Sequence, residues 1–306
     1  MYDLAILGGG PAGVAAGVYA SRKRLKTIFI TDSWGGQSTV SEGIKNWIGT
    51  ITLSGPQLAI DLQKHLEAYA GDIVDIHTNE RVETITNNGN GFSITTNKAG
   101  YTAKTVLIAT GSTRRKLEIP GAEEFEHKGI TYCASCDGPL FADQDVAVIG
   151  GGNAAFETAA QLLAYCKSVT MLNRGTQYRA DPITVEKVLS HPKMKSIQNA
   201  ELISIKGEKF AQGVEYKDSL SGETSTLPVT GIFVEIGLIP STEYVKNVVE
   251  LNNYGQVITN PRTQATNTVG IWAAGDCTDT LYHQNNIAAG DAVRALEDIY
   301  MHIHTK

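Results

Sequence analysis

Cysteine is scarce in this chain, with four in 306 residues. That is too few, and too scattered, for the disulfide framework of a small secreted domain, so a reducing compartment and a cytoplasmic protein are expected. Basic residues are also short: 26 Lys and Arg stand against 32 Asp and Glu, a net charge of −6. No basic cluster alternates with aromatics, so nucleic acid is not an expected partner. No apolar run approaches the length of a membrane span. The N-terminus, Met-Tyr-Asp followed by a short apolar run, has neither the basic region nor the apolar core of a signal peptide. Disorder is excluded by 42% hydrophobic against 19% charged residues, and the length suits two domains better than one.

Glycine is plentiful, at 31 residues, and it is concentrated where chemistry is expected. Residues 3–7 are an apolar run, followed by GGGPAG (8–13) and an alanine-rich stretch to about Arg22. A second apolar run, 27–31, ends at Asp32. This order predicts strand, glycine turn, helix and strand, one βαβ unit. In Gly8-x-Gly10-x-x-Gly13 the first glycine makes the tight turn. The second lets the backbone approach a pyrophosphate, and the third lets helix pack on strand. Asp32 then stands where a carboxylate accepts hydrogen bonds from an adenosine ribose. A surface turn with an idle Asp is the plainer alternative.

The pattern recurs. An expected strand at 145–149 runs into Gly150-x-Gly152-x-x-Ala155, a helical stretch, and a strand at 168–172. The position matching Asp32 is Asn173, and Arg174 and Arg179 follow. Without a carboxylate this site does not repel a ribose 2′-phosphate, and either arginine could pair with one, which leans toward NADPH. Solvated loop arginines are the alternative. A third apolar run, 106–109, ends in Thr110-Gly111, and another at 270–274 leads into GDC and a last helix. Segments 114–121 and 237–242 read as two crossings, so the second domain is expected as an insertion in the first, with 1–114 and 245–306 flanking 115–244.

Cys133-Ala-Ser-Cys136 precedes the second glycine turn, with Asp137 directly after it. This spacing serves a disulfide couple or half a zinc site. Zinc would need two more ligands, and Cys166 and Cys277 are isolated in apolar contexts, so no metal is expected. A redox dithiol beside two dinucleotide folds implies electrons passing from nicotinamide through a flavin to a disulfide. A flavin-binding regulator using the CxxC as a sensor is the non-enzymatic alternative.

The ordered set GGGPAG, GGQ (35–37), Asn46-Trp-Ile-Gly, ATG (109–111), YCASCDGPLF (132–141), GGGNAAFE (150–157), GIFVEIGLIPST (231–242) and AAGDCTDTLYHQ (273–284) resembles the low-molecular-weight thioredoxin reductases. It is similar also to the catalytic core of the flavoprotein component of alkyl hydroperoxide reductase. The resemblance implies an α/β fold of two Rossmann-like dinucleotide-binding domains. It implies FAD held by Gly8, Gly10, Pro11, Ala12, Gly13, Asp32, Gly36, Gln37, Asn46, Thr110 and Gly111. Gly275 and Asp276 would hold the ribitol chain, with His283, Gln284 and Asn285 at the start of the final helix. It implies NAD(P)H along Gly150, Gly152, Asn153, Ala154, Ala155, Glu157, Asn173, Arg174, Arg179, Ile236 and Gly237. Cys136 would face the flavin with its thiolate favoured by a helix start, Cys133 would attack the partner's disulfide, and Asp137 would handle the proton. The implied protein is a homodimeric thioredoxin-disulfide reductase whose inserted domain rotates about the two crossings.

Two departures stand out. Thioredoxin reductases carry His-Arg-Arg and a further Arg where this chain has Asn173-Arg174-Gly175 and Arg179. The peroxide-reductase flavoproteins carry an acid at the Asn173 position and use NADH. An NADH- or ferredoxin-dependent reductase serving a peroxiredoxin or glutaredoxin-like partner is therefore the alternative. The thioredoxin-like extension of the peroxide-reductase flavoprotein does not precede GGGPAG here, so electrons are expected to pass to a separate thioredoxin-like protein with a CxxC disulfide.

Overall fold

The structure is a computed structural model and describes residues 1–41 and 43–305. Its contacts divide the chain into two compact units, Met1–Thr113 with Ile239–Lys306, and Arg114–Leu238.

The first unit begins with β1 (Tyr2–Gly9), α1 (Pro11–Arg22), β2 (Thr27–Trp34), α2 (Gly55–Ala70) and β3 (Val74–Thr78). The strands β4 (Val82–Asn87), β5 (Phe92–Thr96) and β6 (Gly100–Ile108) follow as an antiparallel meander. β1 lies parallel between β2 and β6, and β3 is parallel to β2. The alanine- and glycine-rich face of α1 is buried, which lets the helix lie close to the sheet. A Cβ on Gly17 would stand 2.7 Å from Leu66 of α2, so the two helices meet where there is no side chain.

The chain leaves through β7 (Ser112–Arg114). The second unit holds β8 (Ile130–Thr131), the single-turn α3 (Ala134–Asp137), β9 (Asp145–Ile149), α4 (Asn153–Leu162), β10 (Ser168–Leu172), α5 (Pro182–Leu189) and β11 (Met194–Ile197). An antiparallel sheet of β12 (Ala200–Gly207), β13 (Ala211–Asp218) and β14 (Thr224–Pro228) comes next, then β15 (Gly231–Val234). The central sheet, in the order β11-β10-β9-β15-β8, is entirely parallel. Its central strands are apolar on both faces, as a covered parallel sheet requires: Val146, Ala147, Val148 and Ile232 are fully buried.

The return runs through β16 (Leu238–Pro240), which pairs with β7 as a two-stranded sheet. β17 (Ile271–Ala273) adds parallel to β6 beyond its meander partner, and α6 (Asn285–Thr305) closes the first unit. The return falls between Leu238 and Ile239, not after Tyr244 as the sequence suggests. The reason is packing: Thr110 donates to the Ser241 carbonyl at 2.7 Å and shares a hydrogen bond with the Tyr244 hydroxyl at 3.2 Å, and Tyr244 packs against the first unit's core. Among the described residues no helix is long and apolar enough to cross a membrane.

Candidate active site

Each unit carries a strand, a glycine turn and a helix whose first turn lacks the usual caps. The N-caps of α1 and α4 are Gly10 and Gly152; neither helix has a capping side chain or an acid in its first turn. Four backbone N–H groups are thus left without intrahelical acceptors at the start of α4, and three at the start of α1, where Pro11 has none to offer; at both the helix dipole favours an anion.

In the first unit this turn opens on a cleft of about 1160 Å³. Gly8, Gly10, Pro11, Ala12, Asp32, Gly36, Gln37, Thr110, Gly111, Gly275, Asp276 and Asn285 all line it. The glycines divide by what surrounds them. A Cβ on Gly13 would lie 1.8 Å from the Gly8 carbonyl, and one on Gly8 would lie 2.2 Å from that of Ala109. These two positions let helix, strand and the 109–111 turn touch. A Cβ on Gly10 or Gly111 meets nothing within 4 Å. These two leave room for a ligand to approach the backbone, and a cradle of this size and donor set fits an extended dinucleotide.

Gln37 crosses the cleft, donating to Ser112 at 3.0 Å and, more weakly, to Asp276 at 3.4 Å. Ser38 donates to the Asn285 side chain at 2.9 Å, tying the start of α6 to the 36–40 turn. Gly13, Asn46, His283 and Gln284 do not line the cleft. Gly13 lies under the turn. Asn46 instead donates to Gln284 at 3.1 Å, and its carbonyl accepts from Asn286 at 2.6 Å. His283 Nδ1 is buried 3.4 Å from Asp276 Oδ1 and makes no hydrogen bond. Sequence reasoning missed Ser33 and residues 80–82, which line the end of the cleft near Asp32. Ser33 lies on β2 beside Asp32, and residues 80–82, which have no motif, are brought there by the parallel pairing of β3 with β2.

In the second unit four strand ends share one edge of the parallel sheet. Asn173 follows β10, the glycine turn follows β9, Glu235 follows β15, and Tyr132-Cys133 follows β8. Asn173 is buried, and its Nδ2 donates to the carbonyls of Gly175 and Gln177 at 3.0 and 3.1 Å. Its carboxamide therefore builds the loop. Arg174 and Arg179 are exposed, and the Arg179 N–H donates to the Gly151 carbonyl at 2.7 Å. Ala155 is fully buried, while Asn153, Ala154 and Glu157 are exposed along the start of α4. The Asn153 side chain accepts from Asp181 N–H at 2.8 Å. Ile236 and Gly237 continue from Glu235 into the return crossing, and the Gly237 carbonyl accepts from Arg115 N–H.

Cys133 and Cys136 form a disulfide with Cα atoms 5.3 Å apart. Cys133 is the N-cap of α3, and its Sγ accepts the Cys136 N–H at 3.2 Å. The helix start expected near Cys136 lies at Ala134, and the sulfur that accepts an N–H of its first turn is that of Cys133. Asp137 closes the turn and accepts the Thr131 hydroxyl. The other thiols, Cys166 and Cys277, are fully buried, and burial pushes them up to about 11 and about 12. Among the described residues no group of three or more His, Cys, Asp or Glu is arranged to hold a metal ion.

Comparison with known proteins gives a consistent result. The chain is 37% identical to the NADH dehydrogenase of Bacillus subtilis (strain 168) over 295 residues, 96% of this chain and 57% of that protein. It is 38% identical to an alkyl hydroperoxide reductase component of Staphylococcus epidermidis over 303 residues, 99% of this chain and 59% of that one. The chain thus spans under two thirds of the length of these curated relatives. Among solved structures, the thioredoxin reductase from Streptococcus pyogenes superposes with a TM-score of 0.89 at 34% identity, covering 100% of this chain and 99% of the other. That from Giardia duodenalis gives 0.91 at 31%, covering 98% of each. The match to the Pyridine nucleotide-disulphide oxidoreductase family runs over residues 2–298, and the chain belongs to that family.

Proposed function

We propose that this chain is an FAD-dependent NAD(P)H:protein-disulfide reductase of the thioredoxin reductase kind. The observation that carries the reading is the Cys133–Cys136 disulfide at the end of β8, on the same sheet edge as the α4 glycine turn. A disulfide placed there, in a chain whose other unit holds a dinucleotide-sized cleft, has a hydride donor site and a flavin site in one molecule.

In this reading the first unit's cleft would hold FAD, whose chemistry would be to link a hydride donor to a two-electron disulfide acceptor. The uncapped N–H groups of α1 hold its pyrophosphate, Asp32 its adenosine ribose, and Asp276 with Gln37 its ribitol. The start of α6 at Asn285, on the cleft wall, would favour negative charge on a flavin bound there. The α4 turn holds NAD(P)H. Cys136 meets the flavin and Cys133 attacks the partner. In the reduced pair the Cys136 N–H stabilises the Cys133 thiolate, and Asp137 holds the proton. The partner is a thioredoxin-like protein with a CxxC disulfide, the active form a homodimer, and the compartment reducing. Dithiol and nicotinamide take turns at the flavin, with the β7 and β16 crossings as hinges.

NADPH is the favoured donor, because Arg174 and Arg179 are exposed and no carboxylate stands at Asn173. NADH is the second reading, supported by the relative named as an NADH dehydrogenase.

The test follows flavin bleaching by NADPH and NADH side by side, then disulfide reduction in an added thioredoxin. Cys133→Ser is expected to leave bleaching intact and to lower thioredoxin turnover at least a thousandfold. Turnover that survives this substitution would sink the proposal. Bleaching by neither coenzyme would remove the nicotinamide from it.

A further inference from the structure

Glu235 is a lone acid in the apolar run GIFVEIG, and the reductase reading gives it no role. It follows the last residue of β15 at the edge of the parallel sheet that carries the glycine turn. It is tied to that turn and to the helix that follows it. A Cβ on Gly150 would lie 2.3 Å from the Glu235 carbonyl, and the Glu235 carboxylate accepts the Thr158 hydroxyl of α4 at 2.8 Å.

Sheet order decides which half of a bound dinucleotide passes this carboxylate. The turn after β9 takes the pyrophosphate, and the adenosine lies on the β10 side, where Asn173 occupies the ribose position. The other half must then extend across β15, toward β8 and Cys133. Glu235 is at that end.

We propose that the Glu235 carboxylate acts on the nicotinamide end of the coenzyme, favouring the oxidised, cationic ring over the reduced, neutral one. The proposal rests on the reading of the α4 turn as a nicotinamide nucleotide site. When C4 gives up a hydride, two electrons and a proton leave together and the ring takes a positive charge. A fixed negative charge beside it lowers the energy of that product and of the charge developing on the way.

The charge on Glu235 is itself conditional. Burial raises its pKa to about 7, with Glu157 adding to the rise, while the Thr158 hydrogen bond and Arg114 oppose it. On the β8 side the neighbouring ionisable groups are Tyr132, which burial and Glu126 push up to about 12, and Asp137, engaged by Thr131. Glu235 therefore changes charge in the neutral range, whereas Tyr132 stays neutral there.

The experiment measures the dissociation constants of both coenzyme forms for the flavin-loaded protein by anaerobic equilibrium titration from pH 5.5 to 8.5, the oxidised coenzyme against oxidised flavin and the reduced coenzyme against flavin already reduced, so that no hydride is exchanged during either titration. Their ratio cancels the adenine half, any 2′-phosphate included. The oxidised form is expected to gain on the reduced form by about tenfold as pH rises through about 7. Glu235→Gln keeps an acceptor for Thr158 and is expected to give a flat ratio at the low-pH value. Thr158→Val removes an interaction that favours the anion and is expected to move the midpoint upward. ADP-ribose, which lacks the ring, should bind all three proteins alike and reports an intact fold. A ratio with the same pH profile in wild type and Glu235→Gln, with both coenzymes bound, overturns the proposal alone. Failure of both coenzymes and of ADP-ribose to bind the wild type overturns the nucleotide reading and the proposal with it.

Discussion

At the residue scale, the environment of a side chain decides its chemistry more than its type does. Asn173 sits where a carboxylate would contact a ribose, yet its amide is committed to the Gly175 and Gln177 carbonyls. Glu235 carries a cost the unfolded chain does not. Folding raises its pKa from 4.5 to about 7, so the folded unit holds the proton more tightly than the unfolded chain does. Stability from this group is fully present below about 4.5, falls as pH rises through about 7, and changes no further above that. Glu235→Gln is therefore expected to stabilise the protein by on the order of 2 kcal/mol at pH 8 and by little at pH 4.5. Chemical denaturation at the two pH values checks this; equal effects at both would contradict the assigned burial. The sequence offers one sign of such a residue, an acid interrupting a buried run, but nothing in it places Thr158 opposite.

At the element scale, the two glycine turns look alike in sequence and divide their glycines between two tasks. Gly13 serves packing and Gly10 serves the ligand, because an added methyl strikes the Gly8 carbonyl in one case and open space in the other. Gly13→Ala is expected to lower stability by about 3 kcal/mol or more, since two backbone segments must separate. Gly10→Ala is expected to leave the fold within about 0.5 kcal/mol and still to lose FAD. Thermal melts with and without flavin, and the flavin content of the purified proteins, distinguish the two. The elements legible in the sequence are those whose period and punctuation agree: β1, α1, β9 and β10 fall where apolar runs and glycines place them. The β4–β5 and β12–β14 antiparallel strands were not legible. Their alternation is weak and long-range pairing, not local propensity, sets them. Residues 80–82 join the cleft for the same reason, through a strand pairing that no local pattern announces.

At the scale of the whole molecule, the second unit is one uninterrupted piece of chain with its own buried clusters on both faces of its sheet. Its two ends leave through paired strands, β7 and β16. A fragment of residues 114–238 is therefore expected to fold cooperatively on its own and to bind ADP-ribose, with a single two-state transition in urea. A broad, non-cooperative transition would show that it depends on the first unit. The crossing itself was legible as a proline-bearing segment, but its far boundary was not, because Ser241 and Tyr244 look no different in sequence from residues of the inserted unit.

The sealing of Cys166 and Cys277 also determines how all four cysteines report on the protein. Alkylating reagents reach thiolates, and these two thiols are kept from both solvent and ionisation. The native protein therefore presents either two modifiable sulfurs or none, according to whether the Cys133–Cys136 bond is open. Its labelling stoichiometry in a mass spectrum reads the oxidation state of that pair directly, without any other substrate in the tube.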